Sequence, residues 1–541
     1  MKKTAFLSVS NKDGIVSFAK ELISLDWNIM SSTGTARALK EGGVVVEDLA
    51  DRVGKPILGH RVVTLSREFH AALLARPIAE DEVELEALKM PRIDLLCCDF
   101  YPLEKEIAKE GATPESVIEN TDIGGPTMIR SAAKGQRIVI CDASDRQKVI
   151  EWLEGGEPNR EEFITLLSAK AEFTVSKYAF ASAEYHSHGD YSAIFGEKTA
   201  SCKYGENAWQ TPAGLFKTND ADALALHKFK LVEGTEPSYN NFCDIDRMLQ
   251  TLTHIAAGFE RNFKKVPYIG IAVKHGNACG AGYGDSAEQV IKNVIDGDIQ
   301  AIFGGSFVVN FEIGANEAKI IREWRMSGDA KRLLDTIIAP SFTEEAIEIL
   351  ARKGGKCRLL QNEALKNLGE KSLDTKERFR YVRGGFLKQP NYAFVLDFSD
   401  PLFSKPEKNI EDSIKKDIVL AWAVGSTSTS NTISLIGNGR LLGNGVGQQD
   451  RVGAGALAIT RAKNSHALIS SEPFNLQNAL AYSDSFFPFN DAPETLINAG
   501  VKYIFTTSGS RNDEAMKALC KEKEIGLFML PDASARGFYG H

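Results

Sequence analysis

The opening third of the chain alternates between two hydrophobic periods. Thr4 to Val9 is an apolar run of strand length, and Gly14 to Leu25 repeats its apolar positions at helical spacing. Asn28 to Ser31 begins a second strand, followed by Ser32-Thr33-Gly34-Thr35 and another helical stretch. A further strand, Ile93 to Cys98, runs into Asp99-Phe100-Tyr101-Pro102, and Asn120 to Lys134 reads as a glycine turn opening a helix. On that helix Arg130 and Lys134 share a face. This order predicts an α/β fold with a doubly wound parallel sheet, which gathers ligands where the carboxyl ends of strands meet helix N-termini. Arg146 to about Ser187 is mostly helical in pattern and is expected to pack back on the sheet. His186 and His188 would not share a helical face and read as surface residues, not metal ligands.

A shift of composition near Gly196-Glu197-Lys198-Thr199 sets a boundary, and the chain is expected to divide into 1–196, 197–376 and 377–541. In the middle part, the apolar strand Tyr268 to Val273 delivers Lys274 and His275 into a glycine-rich turn. Ala301 to Val309 is another strand, with a glycine break. The last part carries the apolar run Leu420 to Val424, the polar run Gly425 to Asn431, and a hairpin from Ile433 to Val446 turning at Gly437-Asn438-Gly439. Gly443-Asn444-Gly445-Val446-Gly447 lacks the full dinucleotide fingerprint and its acid about twenty residues on, which excludes a Rossmann oxidoreductase. The absence of a Walker A sequence argues against ATP-driven chemistry.

Composition narrows this picture. At 541 residues the chain is too long for one core, and two to four domains are expected, with 43% hydrophobic residues for ordinary packing. The eight cysteines are scattered through apolar runs without a C-x-x-C pair, so neither a zinc site nor a disulfide framework is expected. A net charge of -8 disfavours nucleic acid and suits a small anionic substrate held in local basic pockets. MKKTAFLSVSNKDG resembles neither a signal peptide nor a spanning helix, so no membrane is implied and a cytoplasmic location is expected.

Four stretches carry candidate chemistry. Ser8-Val9-Ser10-Asn11-Lys12-Asp13-Gly14 and Ser31-Ser32-Thr33-Gly34-Thr35 offer hydroxyls, free amides, a lysine and helix N-termini to a dianion, although Ser and Thr there also serve as plain helix caps. Lys274 and His275 suit an acid/base pair at a pocket rim, or simply a solvated strand end; Gly276 and Gly280 would allow close backbone approach to a ligand. Ser483 to Asp491 packs three aromatics between two aspartates, as core or as a stacking site for a planar heterocycle.

Taken together in this order, SVSNKDG, SSTGTA, RVVTL, TDIGGPTMIRSAAK, KYGEN, VKHGNACG, STSN, GVGQQDR and SDSFFPFND resemble the bifunctional AICAR transformylase/IMP cyclohydrolase family of purine synthesis, with matches running from residue 8 to residue 491. The resemblance implies a methylglyoxal-synthase-like domain followed by two cytidine-deaminase-like α/β subdomains without the deaminase zinc. It implies formyl transfer from 10-formyltetrahydrofolate to AICAR, then closure of FAICAR to IMP. It also implies a homodimer and allows a potassium ion. By the same resemblance Lys274, His275 and Asn431 serve formyl transfer, and Tyr101, Asp122 and Lys134 serve ring closure. Ser8, Ser10, Lys12, Ser32, Gly34, Thr35, Arg61, Thr64, Gly124 and Gly125 would bind the cyclohydrolase nucleotide. Lys203, Tyr204, Asn241, Arg451 and Arg536 would hold AICAR, and Phe486, Pro488, Phe489 and Asp491 the folate.

Departures from the family pattern are concentrated in the N-terminal part. Arg61-Val62-Val63-Thr64-Leu65 puts Val63 where the family has an active-site lysine, and Asp99 replaces an asparagine. Ring closure is therefore expected to be slow, the alternative being an N-terminal domain that only binds nucleotide or supports assembly. Elsewhere Lys203 stands where arginine is frequent, and Asn207-Ala208-Trp209-Gln210 lacks a family histidine. The C-terminus is one residue longer than the family ending, which leaves the role of His541 open.

Overall fold

The computed structural model describes residues 2–59, 61–218, 221–406, 410–477 and 479–539; His541 lies outside them. The chain forms two compact units, Met1–Phe195 and Gly196–His541.

The first unit is organised on a parallel sheet of five strands, β1 (Thr4–Ser8), β2 (Asn28–Ser31), β3 (Glu47–Asp48), β4 (Leu95–Cys98) and β5 (Ile138–Ile140), in the order β3-β2-β1-β4-β5. Ala5 to Leu7 in β1, Leu95 to Cys98 in β4 and Ile138 to Ile140 in β5 are apolar throughout because both faces are covered. Ala5 and Leu7 join one buried cluster with Ile15, Leu22 and Val149. Phe6 points the other way, into a second cluster with Phe69, Met128 and Ile129. The helix Arg160–His186 packs on β5 and on the helix Gly124–Lys134, and His186 and His188 are exposed.

The second unit begins with a two-stranded hairpin, β6 (Glu197–Cys202) and β7 (Ala213–Lys217). Its main sheet comprises β8 (Lys230–Glu233), β9 (Tyr268–Lys274), β10 (Asn277–Gly284), β11 (Ser306–Val309), β12 (Thr336–Ala339) and β13 (Arg358–Gln361). After a second hairpin, β14 (Glu377–Val382) and β15 (Gly385–Pro390), the sheet continues with β16 (Ile433–Gly437), β17 (Arg440–Gly445), β18 (Leu480–Ser483), β19 (Tyr503–Ser508) and β20 (Gly526–Pro531). The order is β20-β19-β18-β16-β17-β10-β9-β11-β12-β13-β8. Read outward from the central β10 and β17 pair, the two halves repeat one plan: a hairpin, then three strands parallel to one another. Each hairpin follows a helix, Tyr239–Phe263 before β9 and Asp412–Ser426 before β16, and these helices pack together on one face of the sheet. The run Leu420 to Val424 lies in the second of them, where every residue from Asp417 to Ser426 is buried. A helix enclosed on all sides is apolar all round, so it shows no amphipathic stripe.

Both hairpins turn through two residues with positive φ, His275 (53°) with Gly276 (73°) and Asn438 (54°) with Gly439 (74°), the two-residue turn that matches strand twist. One expectation is corrected here. Gly280 does not face a ligand but lies in β10 against the helix Ala287–Ile295, where an added Cβ would sit 2.1 Å from the Val294 carbonyl oxygen. Gly445 in β17 is likewise pressed on the helix Arg451–Ile469, 2.0 Å from the Ala454 carbonyl oxygen by the same measure. Close helix-strand packing, not dinucleotide binding, accounts for Gly443 and Gly445 of that segment.

Candidate active sites

In the first unit the loops at the carboxyl ends of β1, β2 and β4 surround a cavity of about 810 Å³, within the range of nucleotide-sized pockets. Ser8, Ser10, Lys12, Ser32, Gly34, Thr35, Arg61, Thr64, Tyr101, Asp122, Gly124 and Gly125 all line it. At one side Ser8 Oγ donates to Ser32 Oγ at 2.9 Å, beside the N-terminus of the helix Thr33–Glu41. Lys12 Nζ reaches Thr35 Oγ1 at 3.1 Å and the Val9 carbonyl. Desolvation pulls the Lys12 ammonium down from its ordinary range while the Asp99 carboxylate pulls it up. This side presents a cation, hydroxyls and helix amides, the groups that take a phosphate.

At the other side Asp122 Oδ1 accepts from Gly125 N at 2.9 Å. Burial raises the Asp122 carboxyl above its usual value, and the amides of Gly125, Tyr101 and Gly124 hold it back. Tyr101, near by, is raised in turn by desolvation and by Asp122. A protonatable carboxyl beside a phenol can move protons at a bound base. Gly124 and Gly125 open the helix against Thr64 and Asp122, leaving no room for a Cβ. Val63 lines the same cavity and packs on the Phe69 cluster, so the wall is apolar where a cation was missed in the sequence. Lys134 does not join this group. It is exposed at the last residue of its 11-residue helix, about 15 Å along the axis from Gly124 at 1.5 Å per residue.

In the second unit the β9 to β10 turn is tied down on two sides. Gly276 N donates to Asp244 Oδ1 at 2.8 Å, and Arg247 Nε donates to Gly276 O at 3.0 Å. Asn277 Oδ1 accepts from Thr429 N at 3.0 Å, which joins the turn to the Ser428 to Asn431 loop. His275 is exposed at the apex, while Lys274 Nζ donates to the Phe303 carbonyl at 2.7 Å. Burial raises the Asp244 carboxyl, with the amide of Gly276 and the nearby His275 pulling it down. Asn431 Nδ2 donates to Gln448 O at 2.9 Å, and Thr432 N donates to Asp484 Oδ2 at 3.0 Å.

Arg451 Nη2 donates to the fully buried Asp484 at 3.0 Å and Arg536 Nε to Asp532 at 2.7 Å. Arg451 Nε donates to Ser483 Oγ at 3.3 Å, Ser483 Oγ donates to Ser485 O, and Ser485 Oγ donates to Asp532 Oδ1, so the two arginines belong to one chain of polar contacts. Tyr539 stacks under Arg247 and Arg378, at 4.4 and 4.0 Å from ring centroid to guanidinium carbon. Asp244, Arg247 and Tyr539 were not singled out from the sequence. An Asp and an Arg three apart in a helix whose neighbouring positions are largely apolar are the available signal for the first two.

The remaining candidates are more scattered. Lys203 is exposed and Tyr204 half-buried in the loop after β6, which reaches the helix Tyr239–Phe263 through Asn240 Nδ2 on the Glu206 carbonyl. Asn241 is buried and committed to capping that helix, its Oδ1 accepting from Ser238 N. Phe486 is half-buried and Phe487 joins the core, while Pro488, Phe489 and Asp491 are exposed.

Fold and residue clusters define a two-part α/β enzyme with a nucleotide-sized pocket in its first part and a Lys-His turn in its second. An MGS-like domain model matches residues 14–127, and the AICARFT/IMPCHase bienzyme model matches residues 132–461. A bifunctional purine biosynthesis protein PurH of Anoxybacillus flavithermus is 34% identical over 98% of this chain and 98% of its own. A second, from Staphylococcus carnosus, is 34% identical over 97% of this chain and 98% of its own. The chain belongs to the AICARFT/IMPCHase bienzyme family. Among the described residues no helix is long and apolar enough to cross a membrane.

Proposed function

We propose that this chain carries out two consecutive steps, formylating AICAR from 10-formyltetrahydrofolate in its second unit and closing FAICAR to IMP in its first. The observation that carries this reading is the family match running through both units, each with its own cluster of polar side chains. A first unit that only binds nucleotide is the weaker reading, because relatives named as bifunctional match along nearly the whole chain.

For formyl transfer, the 5-amine of AICAR attacks the formyl carbon of the folate. A carbon-nitrogen bond forms, the bond to the folate nitrogen breaks, and the amine proton ends on the departing tetrahydrofolate. The amine is a poor nucleophile because the imidazole and its carboxamide withdraw its lone pair, so proton removal must accompany attack. His275 at the apex of its turn is suited to take that proton. Lys274 and Asn431 are suited to the charge developing on the formyl oxygen. The turn is held by Asp244, Arg247 and Asn277, which fixes where His275 stands. Arg451, Arg536, Lys203 and Tyr204 hold the nucleotide in this reading, and Phe486, Pro488, Phe489 and Asp491 the folate.

For ring closure, the carboxamide nitrogen of FAICAR attacks its own formyl carbon and water leaves. Ser8, Ser10, Lys12, Ser32, Gly34 and Thr35 serve the phosphate, and Asp122 and Tyr101 the proton transfers. Lys134 has no position at the cavity that supports a direct role.

The halves β8 to β13 and β16 to β20 correspond, in this reading, to the two cytidine-deaminase-like subdomains, and the enzyme works as a cytoplasmic homodimer. The Tyr482 hydroxyl is fully buried with no hydrogen-bond partner among the described residues, but Asp484 is committed to Arg451 and Thr432 N and Asp532 to Arg536, Ser485 and Thr507, so these side chains do not fit a potassium ion. The test is to incubate the protein with AICAR and 10-formyltetrahydrofolate and separate the products. IMP, with or without FAICAR, is expected; absence of both would overturn the reading.

A further inference from the structure

The cavity of the first unit contains an anion of its own. Asp99 follows β4 and turns its carboxylate into the loop after β1, where Oδ1 accepts the Ser10 amide and Oδ2 accepts the Asn11 amide at 3.3 Å. These amides belong to the loop that also carries Ser8 and Lys12, and Asp99, Ser8, Ser10 and Lys12 all line the cavity. Two consecutive amides converging on one carboxylate form a small anion nest. The nest is therefore filled from within the chain.

The charges around it sharpen the consequence. The cavity walls contribute two cations, Lys12 and Arg61, against three carboxylates, Asp99, Glu119 and Asp122. Arg61 is paired with Glu119 at 2.6 Å. Lys12 is left as the cation nearest the Ser8 and Thr35 hydroxyls, and it also feels the charge of Asp99. A phosphate dianion entering beside Lys12 must either displace Asp99 from the two amides or bind next to its charge. Either way the carboxylate opposes the phosphate, a repulsion that a nucleoside without a phosphate would not meet.

We propose that Asp99 sets the phosphate affinity of this pocket, acting as an internal competitor that weakens binding of nucleoside monophosphates and speeds their departure. The inference rests on the reading of this cavity as the FAICAR and IMP site. Asp99→Asn removes the charge and keeps one of the two acceptor oxygens that take the Ser10 and Asn11 amides; Asp99→Ser shortens the side chain and serves as a second variant should the first fold poorly. Binding of IMP and of inosine, which lacks the phosphate, is measured by titration calorimetry on the full chain at fixed ionic strength. Removing one like charge at this range is expected to tighten IMP about tenfold in both variants. Inosine affinity should stay unchanged, and KM for FAICAR should fall. Unaltered or weaker IMP binding in the variants would overturn the proposal, as would an equal gain for inosine. Failure of the unmodified chain and both variants to bind IMP at all would instead remove the reading of the cavity, and the proposal with it.

Discussion

Replacing His275 by alanine should lower formyl transfer by roughly a hundred- to ten-thousand-fold, the usual loss for an acid/base group, with much less effect on AICAR binding. Lys274→Ala should behave alike. Single-turnover formation of FAICAR measures both, and near-normal rates would return the pair to the role of a solvated turn. Val63 concerns the other reaction. A cation at this wall could stabilise the oxyanion formed as nitrogen adds to the formyl carbon, and loss of one such contact typically costs ~3 to 4 kcal/mol. Valine lines the cavity but carries no charge. FAICAR should therefore build up during the coupled reaction, and Val63→Lys should speed its closure while leaving formyl transfer unchanged. Fast closure by the unmodified chain, followed by chromatography of FAICAR and IMP, would show that another group fills the gap.

At the scale of elements, the two central hairpins are fixed by equivalent carboxylates. Asp244 accepts from Gly276 N in one turn, and Asp417 accepts from Gly439 N at 2.9 Å in the other. Asp417 is 4% exposed and also accepts from Tyr283 Oη at 2.8 Å. Burial nevertheless pushes its carboxyl up to about 6, the hydrogen bonds only partly offsetting the loss of water. Between the unfolded value near 4 and this value the native state holds the extra proton, so the contribution of Asp417 to stability is full below that window and declines as pH rises through about 6. A shift of this size corresponds to about 3 kcal/mol. Asp417→Asn keeps an acceptor and removes the titration. Relative to the unmodified protein, the variant should gain thermal stability as pH is raised from about 4 to about 7. A constant difference in melting temperature across that range would refute the assignment.

At the scale of the whole molecule, the folate candidates Pro488, Phe489 and Asp491 are exposed, Phe489 to 67%, and Trp209 on the β6 to β7 loop to 78%. Aromatics this exposed suit a surface completed by a second copy. Sedimentation should give a dimer. Mixing His275→Ala chains with Asp491→Ala chains should restore partial formyl transfer, because one site in the mixed dimer would draw intact residues from each chain. A fully active monomer would exclude shared sites.

The parallel sheet of the first unit was legible in the chain because each strand buried on both faces is a short apolar run and each loop between them has its own turn chemistry. The phosphate side of the cavity was legible for the same reason, since Ser8, Lys12, Ser32 and Thr35 sit at strand ends whose position local pattern determines. The sequence also placed Lys274 and His275 at the end of a buried strand. It could not show that Gly280 packs on a helix backbone, that Lys134 stands a helix length from the pocket, or that Asn241 is used as a cap. Nor could it show Asp99 seated on the Ser10 and Asn11 amides, or Asp244 and Arg247 holding the turn of His275 from a helix about thirty residues earlier. Periodicity reports which face of an element is buried, because the hydrophobic effect acts on every residue in turn. Which polar group meets which across the sheet depends on register and on strand order, and only the folded chain brings those residues together.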